Sequence, residues 1–293
     1  MNEQIRRILV ASDGSPESEG VFAAAMPFVR KDDPEVSVLH VLEGPEESFT
    51  PPARVAKACR VLRTFGVKAH LEIREGKPAE EILRLSKERG IDLVVLSTHG
   101  RRGIRRVLMG SVTEEVLRRS ESPVLVTRPG LTAGDWTRIV VPLDGSPRGE
   151  AILEEVVPLA RKFRTSVELV RAAMPPVTMS GLGEIPGPVL RDDPMPYLLQ
   201  VQKRLRSMGV EASVTGLEGR AASEIVRHAA EGQAALLCLS THGRSGFARV
   251  LLGSVAEDVV RNAPCPVLLR RSLPAATGPE PVPISGEVAP GFP

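Results

Sequence analysis

Cysteine is scarce in this chain of 293 residues. Its three copies, Cys59, Cys238 and Cys265, are too few and too scattered for a disulfide framework or a thiolate metal site. They read as small buried side chains in a reducing compartment. An excess of one charge sign is also missing. The 38 Lys and Arg nearly balance the 36 Asp and Glu, for a formal net charge of +2. That balance argues against a general nucleic-acid or anionic-membrane binder. No apolar run approaches the length of a membrane span, and the opening MNEQIRRILVASDGS has no apolar signal-peptide core, so a cytoplasmic location is expected. There is no Gly-x-x-x-x-Gly-Lys-Ser/Thr and no Gly-x-Gly-x-x-Gly, which leaves P-loop and dinucleotide readings unsupported. No carboxylate cluster marks a standing metal site.

The chain does have repetition. Ser97–Arg128 and Ser240–Arg271 are identical at 19 of 32 positions. Arg6–Glu19 (RRILVASDGSPESE) likewise aligns with Thr137–Glu150 (TRIVVPLDGSPRGE). A period of that length is domain-sized, so the chain is a duplication rather than a solenoid. The expected division is a first domain over 1–130 and a second over 136–272. A Gly/Pro/Ala-rich boundary lies at Pro129–Trp136, and a Pro/Gly-rich tail over 273–293 is read as disordered.

Each unit alternates short apolar runs with amphipathic stretches. In the first unit, strands are predicted at Ile8–Ser12, Val36–Leu42, Val67–Arg74, Ile91–Ser97 and Pro123–Thr127. Helices are predicted from Pro16 with Ser15 as cap, and at Arg54–Phe65, Pro78–Arg89 and Ser111–Ser120. Runs that are apolar on both faces, separated by helices, imply a parallel sheet covered on both sides. The fold class is therefore α/β, with two tandem open parallel sheets of five strands. The last strand of each unit needs cover, which points to packing as an internal pseudo-dimer. The second unit has a longer Pro/Gly-rich loop, Ala172–Pro196.

In such sheets ligands bind beyond the carboxyl ends of the strands, near the point where strand order reverses. Two segments per unit lie there. One is Asp13-Gly14-Ser15, matched by Asp144-Gly145-Ser146. The other is Ser97-Thr98-His99-Gly100 with Gly110-Ser111, matched by Ser240-Thr241-His242-Gly243 with Gly253-Ser254. Ser111 and Glu114 form a capping-box pattern, repeated by Ser254 and Glu257, and the same helix start is also an anion site. The aspartates read equally as turn residues closing the strand-to-helix corner.

Gly100, nine residues and Gly110-Ser111, repeated as Gly243, nine residues and Gly253-Ser254, resembles the nucleotide motif of ATP-binding universal stress proteins. The Asp-Gly-Ser opening, the Pro-Val-Leu closing strand and the element order resemble that family as well, from about Gln4 to Arg271. One departure occurs in both copies: the motif's first glycine is Ser97 and Ser240. The resemblance implies a fold of Rossmann-like, adenine nucleotide alpha hydrolase-like type. It also implies that Ala11, Ser12, Asp13 and Val41 meet the adenosine end in the first unit. Their counterparts are Pro142, Leu143, Asp144 and Ala172. Ser97, His99, Gly100, Arg101, Gly110, Ser111 and Val112 would hold ribose and phosphates, as would Ser240, His242, Gly243, Arg244, Gly253, Ser254 and Val255.

The implied ligand is ATP, with any Mg²⁺ carried by its phosphates, and the implied role is a binding and regulatory protein of stress response. No catalytic residue is assigned, because neither His99 nor His242 has a triad partner. A nucleotide-free scaffold and a slow ATPase stay open as alternatives, as do a homodimer of tandem chains and an unidentified protein partner. The units also differ: Arg171 stands where the first has His40, and Ala235 where the first has Asp92.

Overall fold

The computed structural model describes residues 4–44, 51–98, 109–131, 136–173, 193–241 and 252–272. The first unit runs β1 (Arg7–Ala11), α1 (Gly20–Asp32), β2 (Glu35–Leu42), α2 (Ala53–Thr64), β3 (Lys68–Glu75), α3 (Pro78–Arg89), β4 (Leu93–Ser97), α4 (Ser111–Arg119) and β5 (Val124–Thr127). The second runs β6 (Arg138–Pro142), α5 (Pro147–Glu150), α6 (Leu153–Phe163), β7 (Ser166–Ala173), α7 (Met195–Ser207), β8 (Ala212–Glu218), α8 (Ala221–Glu231), β9 (Leu236–Ser240), α9 (Ser254–Asn262) and β10 (Val267–Arg270).

The apolar runs make the central strands because both faces of each are covered. Ile8, Leu9 and Val10 in β1 are fully buried, as are Leu93, Val94 and Val95 in β4. Side chains alternate across the pleat, so neighbours in one strand serve different layers. Ile8 and Val10 join the helices α1 and α2, while Leu9 joins α3 and α4. The second unit repeats this with α6 and α7 on one side and α8 and α9 on the other.

All strands form one ten-stranded sheet in the order β3-β2-β1-β4-β5-β10-β9-β6-β7-β8. Every neighbouring pair is parallel except the central one. There β5 and β10 run antiparallel, pairing Val126 with Val267, Leu125 with Leu268 and Val124 with Leu269. The β5 and β10 edges thus close one another, the internal pseudo-dimer that the sequence leads one to expect, and β3 and β8 are the outer edges of the joint sheet.

Side chains continue the seam. Phe28 of α1, Trp136 and Phe163 of α6 pack edge-on or tilted, with centroids 4.6 Å (Phe28–Trp136) and 4.7 Å (Trp136–Phe163) apart. Beside them Lys162 Nζ meets Asp32 Oδ2 at 2.6 Å. Arg128 donates to the Arg261 carbonyl at the end of α9. Trp136, where the boundary segment ends and the expected second domain begins, is a core residue at 5% exposure.

Two local expectations are corrected. The first helix does not run from Pro16: a 3-10 turn spans Pro16–Ser18 and α1 begins at Gly20. Ser15 makes no side-chain cap bond and its hydroxyl donates to Asp13 Oδ1 at 2.7 Å, whereas Ser146 makes the same bond to Asp144 and also caps, accepting from Gly149 N–H at 3.0 Å. Nor is Ser111 a capping-box residue. Gly110, in extended backbone, is the cap; Ser111 is the first helical residue, and no side-chain cap bond forms. The same holds at Gly253 and Ser254. The tail and most of the Ala172–Pro196 loop lie outside the described residues.

Candidate functional site

The site is built where strand order reverses, between β1 and β4 in the first unit and between β6 and β9 in the second. Ala11, Ser12 and Asp13 leave the carboxyl end of β1, Val41 sits near the end of β2 on one side, and Ser97 ends β4 on the other. Pro142, Leu143 and Asp144 leave β6 in the same way, between Ala172 of β7 and Ser240 of β9.

The Asp-Gly-Ser corner is a tight turn held by its own side chain. Asp13 Oδ1 accepts from the Ser15 N–H at 3.0 Å and from the Ser15 hydroxyl. Asp144 repeats both bonds with Ser146 at the same distances. Gly14 and Gly145 have φ of 78° and 85°, in the left-handed region that a side chain disfavours. Pro52, at the start of α2, packs directly over Gly14: a Cβ there would come within 2.5 Å of the Pro52 ring. Behind the turn, buried His40 Nδ1 donates to the Ser12 carbonyl at 2.9 Å, and the Ser12 and Ser18 hydroxyls meet at 2.8 Å.

The second segment rises from β4. Thr98 N–H donates to Thr127 of β5, and the Thr98 carbonyl turns to accept from Gly110 N–H at 2.9 Å. This brings the chain back to the β4 end and starts α4 there. A Cβ on Gly110 would stand 3.2 Å from that carbonyl, so the glycine serves close backbone approach within the protein. Thr113 Oγ1 donates to the Ser97 carbonyl, fixing the helix start. The first intrahelical bond runs from Glu114 N–H to Gly110, so the N–H groups of Ser111, Val112 and Thr113 precede it at the positive end of α4. Gly253, Thr241 and Glu257 repeat this geometry at α9, with Gly253 N–H to Thr241 at 2.9 Å.

The two segments touch. Ser97 Oγ donates to the Glu17 carbonyl at 3.2 Å, and Ser240 Oγ to the Gly149 carbonyl at 3.1 Å. The serine at the motif's first glycine position thus ties the strand end to the turn that follows the Asp-Gly-Ser corner. His99, Gly100, Arg101, His242, Gly243 and Arg244 lie outside the described residues.

Around Asp144 the structure adds residues that local patterns do not reveal. Tyr197 of α7 donates to Glu150 Oε1 at 2.9 Å, Arg204 pairs with the same carboxylate, and buried Arg171 lies 5.6 Å from the Tyr197 ring. Burial, then the Glu150 hydrogen bond, raises the Tyr197 phenol above its usual range. The equivalent places in the first unit hold an exposed Arg54–Glu19 ion pair. Tyr197 is distant from Asp144 in sequence and carries no motif, so only folding discloses it. Among the described residues no group of three or more His, Cys, Asp or Glu is placed to hold a metal.

The sequence of each unit has known relatives. The model of the universal stress protein family matches residues 4–128 and again 135–271. The chain belongs to that family. A universal stress protein of Mycolicibacterium smegmatis is 26% identical over 294 residues, which cover 90% of this chain and 96% of that protein. Universal stress protein MJ0531 of Methanocaldococcus jannaschii is 34% identical over 138 residues, 46% of this chain and 81% of the relative. In fold, the chain is similar to a universal stress protein from Archaeoglobus fulgidus, with a TM-score of 0.70 at 20% identity, covering 92% of this chain and 97% of that one.

Proposed function

We propose that this universal stress protein binds ATP in each unit and acts as a binding and regulatory protein in stress response. One observation carries the reading. In both halves the Asp-Gly-Ser corner and the Gly-Ser helix start lie at the reversal of strand order, on either side of a strand end: Ser97 donates to Glu17 in the turn after the corner and accepts from Thr113 of α4, and Ser240 donates to Gly149 in the turn after its corner. A carboxylate at one end suits a ribose or adenine donor. Helix N–H groups at the other suit phosphate oxygens.

In this reading Asp13 and Asp144 face the nucleoside. Val41 and Ala172, half-buried against the core, border the base. Ser111, Val112, Ser254 and Val255 offer helix N–H groups to the phosphates, and Mg²⁺ arrives with them.

The test is calorimetric titration of ATP into wild-type protein and into Ser111→Asp/Ser254→Asp. Both positions are exposed first helical residues, where a carboxylate suits the helix but repels phosphate. The expected outcome is two bound nucleotides in wild type, at least a tenfold loss in the variant and an unchanged melting temperature. Equal ATP binding by both proteins would move the phosphates elsewhere. No binding by wild type would favour a nucleotide-free scaffold.

A further inference from the structure

The near-zero net charge conceals a separation of charge across the sheet. Helices α1, α2, α6 and α7 share one side, and α3, α4, α8 and α9 the other. The first layer holds eleven Arg and Lys against three Asp and Glu. Two of those three carboxylates are spent internally: Asp32 on Lys162 and buried Glu155 on Arg270. The second layer holds seven Arg and Lys against nine Asp and Glu.

The excess concentrates on the outer helices. The α2 helix carries Arg54, Lys57, Arg60 and Arg63 and no carboxylate; α7 carries Lys203, Arg204 and Arg206 and no carboxylate. All seven are exposed; Arg54 pairs with Glu19 and Arg204 with Glu150, carboxylates outside these helices, which leaves Lys57, Arg60, Arg63, Lys203 and Arg206 as the excess. Cations in a last turn compensate the helix dipole, and the helices of both layers have them. Dipole compensation equally favours acids in the first turn. The α3, α4, α8 and α9 helices have such acids, whereas α1, α2 and α7 have none. Arg54 even stands in the first turn of α2, where the dipole opposes it.

Exposed apolar side chains fall on the same helices. Of the five large exposed hydrophobics among the described residues, four are Val61 and Phe65 at the end of α2 and Leu199 and Met208 on or just after α7. Phe65 is 73% exposed, and Met208, 40% exposed, is its counterpart in the second unit. Cations interleaved with Phe, Leu and Met are what the boundary of an anionic bilayer accepts: headgroups take the charge and the outer acyl region takes the apolar tips. A nucleic-acid backbone would use the charge and leave the apolar tips without partners.

We propose that the α2/α7 face docks this protein on an anionic lipid surface, with the two units as paired anchors on one side of the molecule. The balance of the whole sequence argues against a membrane partner only while the charge is summed. The α2 and α7 starts border the candidate nucleotide site, but the docking residues tested below, Lys57, Phe65, Lys203 and Met208, are not among those placed there, so lipid docking is tested separately from ATP binding.

The experiment is flotation of the full chain with phosphatidylglycerol–phosphatidylcholine vesicles and with pure phosphatidylcholine vesicles, across a salt series. Binding is expected only to the anionic vesicles and is lost as salt rises. Lys57→Glu/Lys203→Glu should weaken it at least about 25-fold, at roughly fivefold per surface cation removed. Lys87→Glu/Arg118→Glu makes the same charge change on the opposite layer and should have little effect. Phe65→Ser/Met208→Ser, at exposed positions, should weaken binding at constant charge.

No flotation at low salt would overturn the proposal, and so would equal losses in both charge variants. Unchanged binding of Phe65→Ser/Met208→Ser would remove lipid as the occupant. Tighter binding to a DNA duplex or to polyglutamate than to the vesicles would assign the face to a different partner. Self-association without lipid, abolished by Lys57→Glu/Lys203→Glu, would assign it to a second copy of this chain.

Discussion

Gly14 shows how narrowly one residue is constrained. Its positive φ and the Pro52 ring over its α-carbon are independent objections to any side chain. Gly14→Ala should therefore cost about 2 kcal/mol, from the left-handed backbone and the displaced proline together. Urea unfolding measures it, and a loss below the scatter of ordinary surface substitutions would show that the turn relaxes freely. The Asp-Gly-Ser corner is legible in sequence because turn chemistry is local. His40 beneath it is not. Nothing in VSVLHVL says that the imidazole will find the Ser12 carbonyl, since that contact depends on β1 lying beside β2.

At the scale of elements, β6, β7, β8 and α8 are joined by one polar cluster. Glu168 of β7 accepts from Arg138, from Thr215 at 2.6 Å and from His228 at 3.0 Å, and Arg138 reaches the Gly232 carbonyl at the end of α8. Burial alone would push the Glu168 carboxyl up. The hydrogen bonds from Thr215, Arg138 and His228 outweigh it and hold the group below the usual carboxylate range. A carboxyl lowered by folding adds stability that is complete above its unfolded value, about 4.3, and fades as pH falls through the folded one. Melting temperature should accordingly fall in acid. Glu168→Gln should cost on the order of 2 kcal/mol at neutral pH and flatten that acid slope. An unaltered slope would assign acid sensitivity to other carboxylates.

The elements themselves were legible wherever period and punctuation agree. Pro78–Arg89 has Pro at its start and Gly90 at its end, and the helix has those bounds. Boundaries slipped where side chains competed for a role. Ser15 and Ser111 both look like caps, yet one bonds Asp13 and the other yields to Gly110. Which helix lies on which side of the sheet is a matter of three dimensions, so the separation of charge between layers was hidden in a balanced composition.

For the whole molecule, the duplication predicted two units, and the β5–β10 pairing shows that they share one sheet. The buried cluster holding Phe28, Val156 and Leu159 also runs through both. One cooperative unfolding transition should follow, in which calorimetric and van't Hoff enthalpies agree. Phe28→Ala should shift that entire transition, at a cost of about 3 to 5 kcal/mol. Two separable transitions, with only the first moved, would mean that the halves fold as independent bodies.

Trp136 gives the seam a voice of its own. It is the sole tryptophan of the chain, sealed at 5% exposure between Phe28 of one half and Phe163 of the other. Its intrinsic fluorescence, blue-shifted while the indole stays dry, therefore reports on this junction with no label attached. Any event at a distant strand end that loosens one half from the other will redden that emission, and events confined to one half will leave it unchanged.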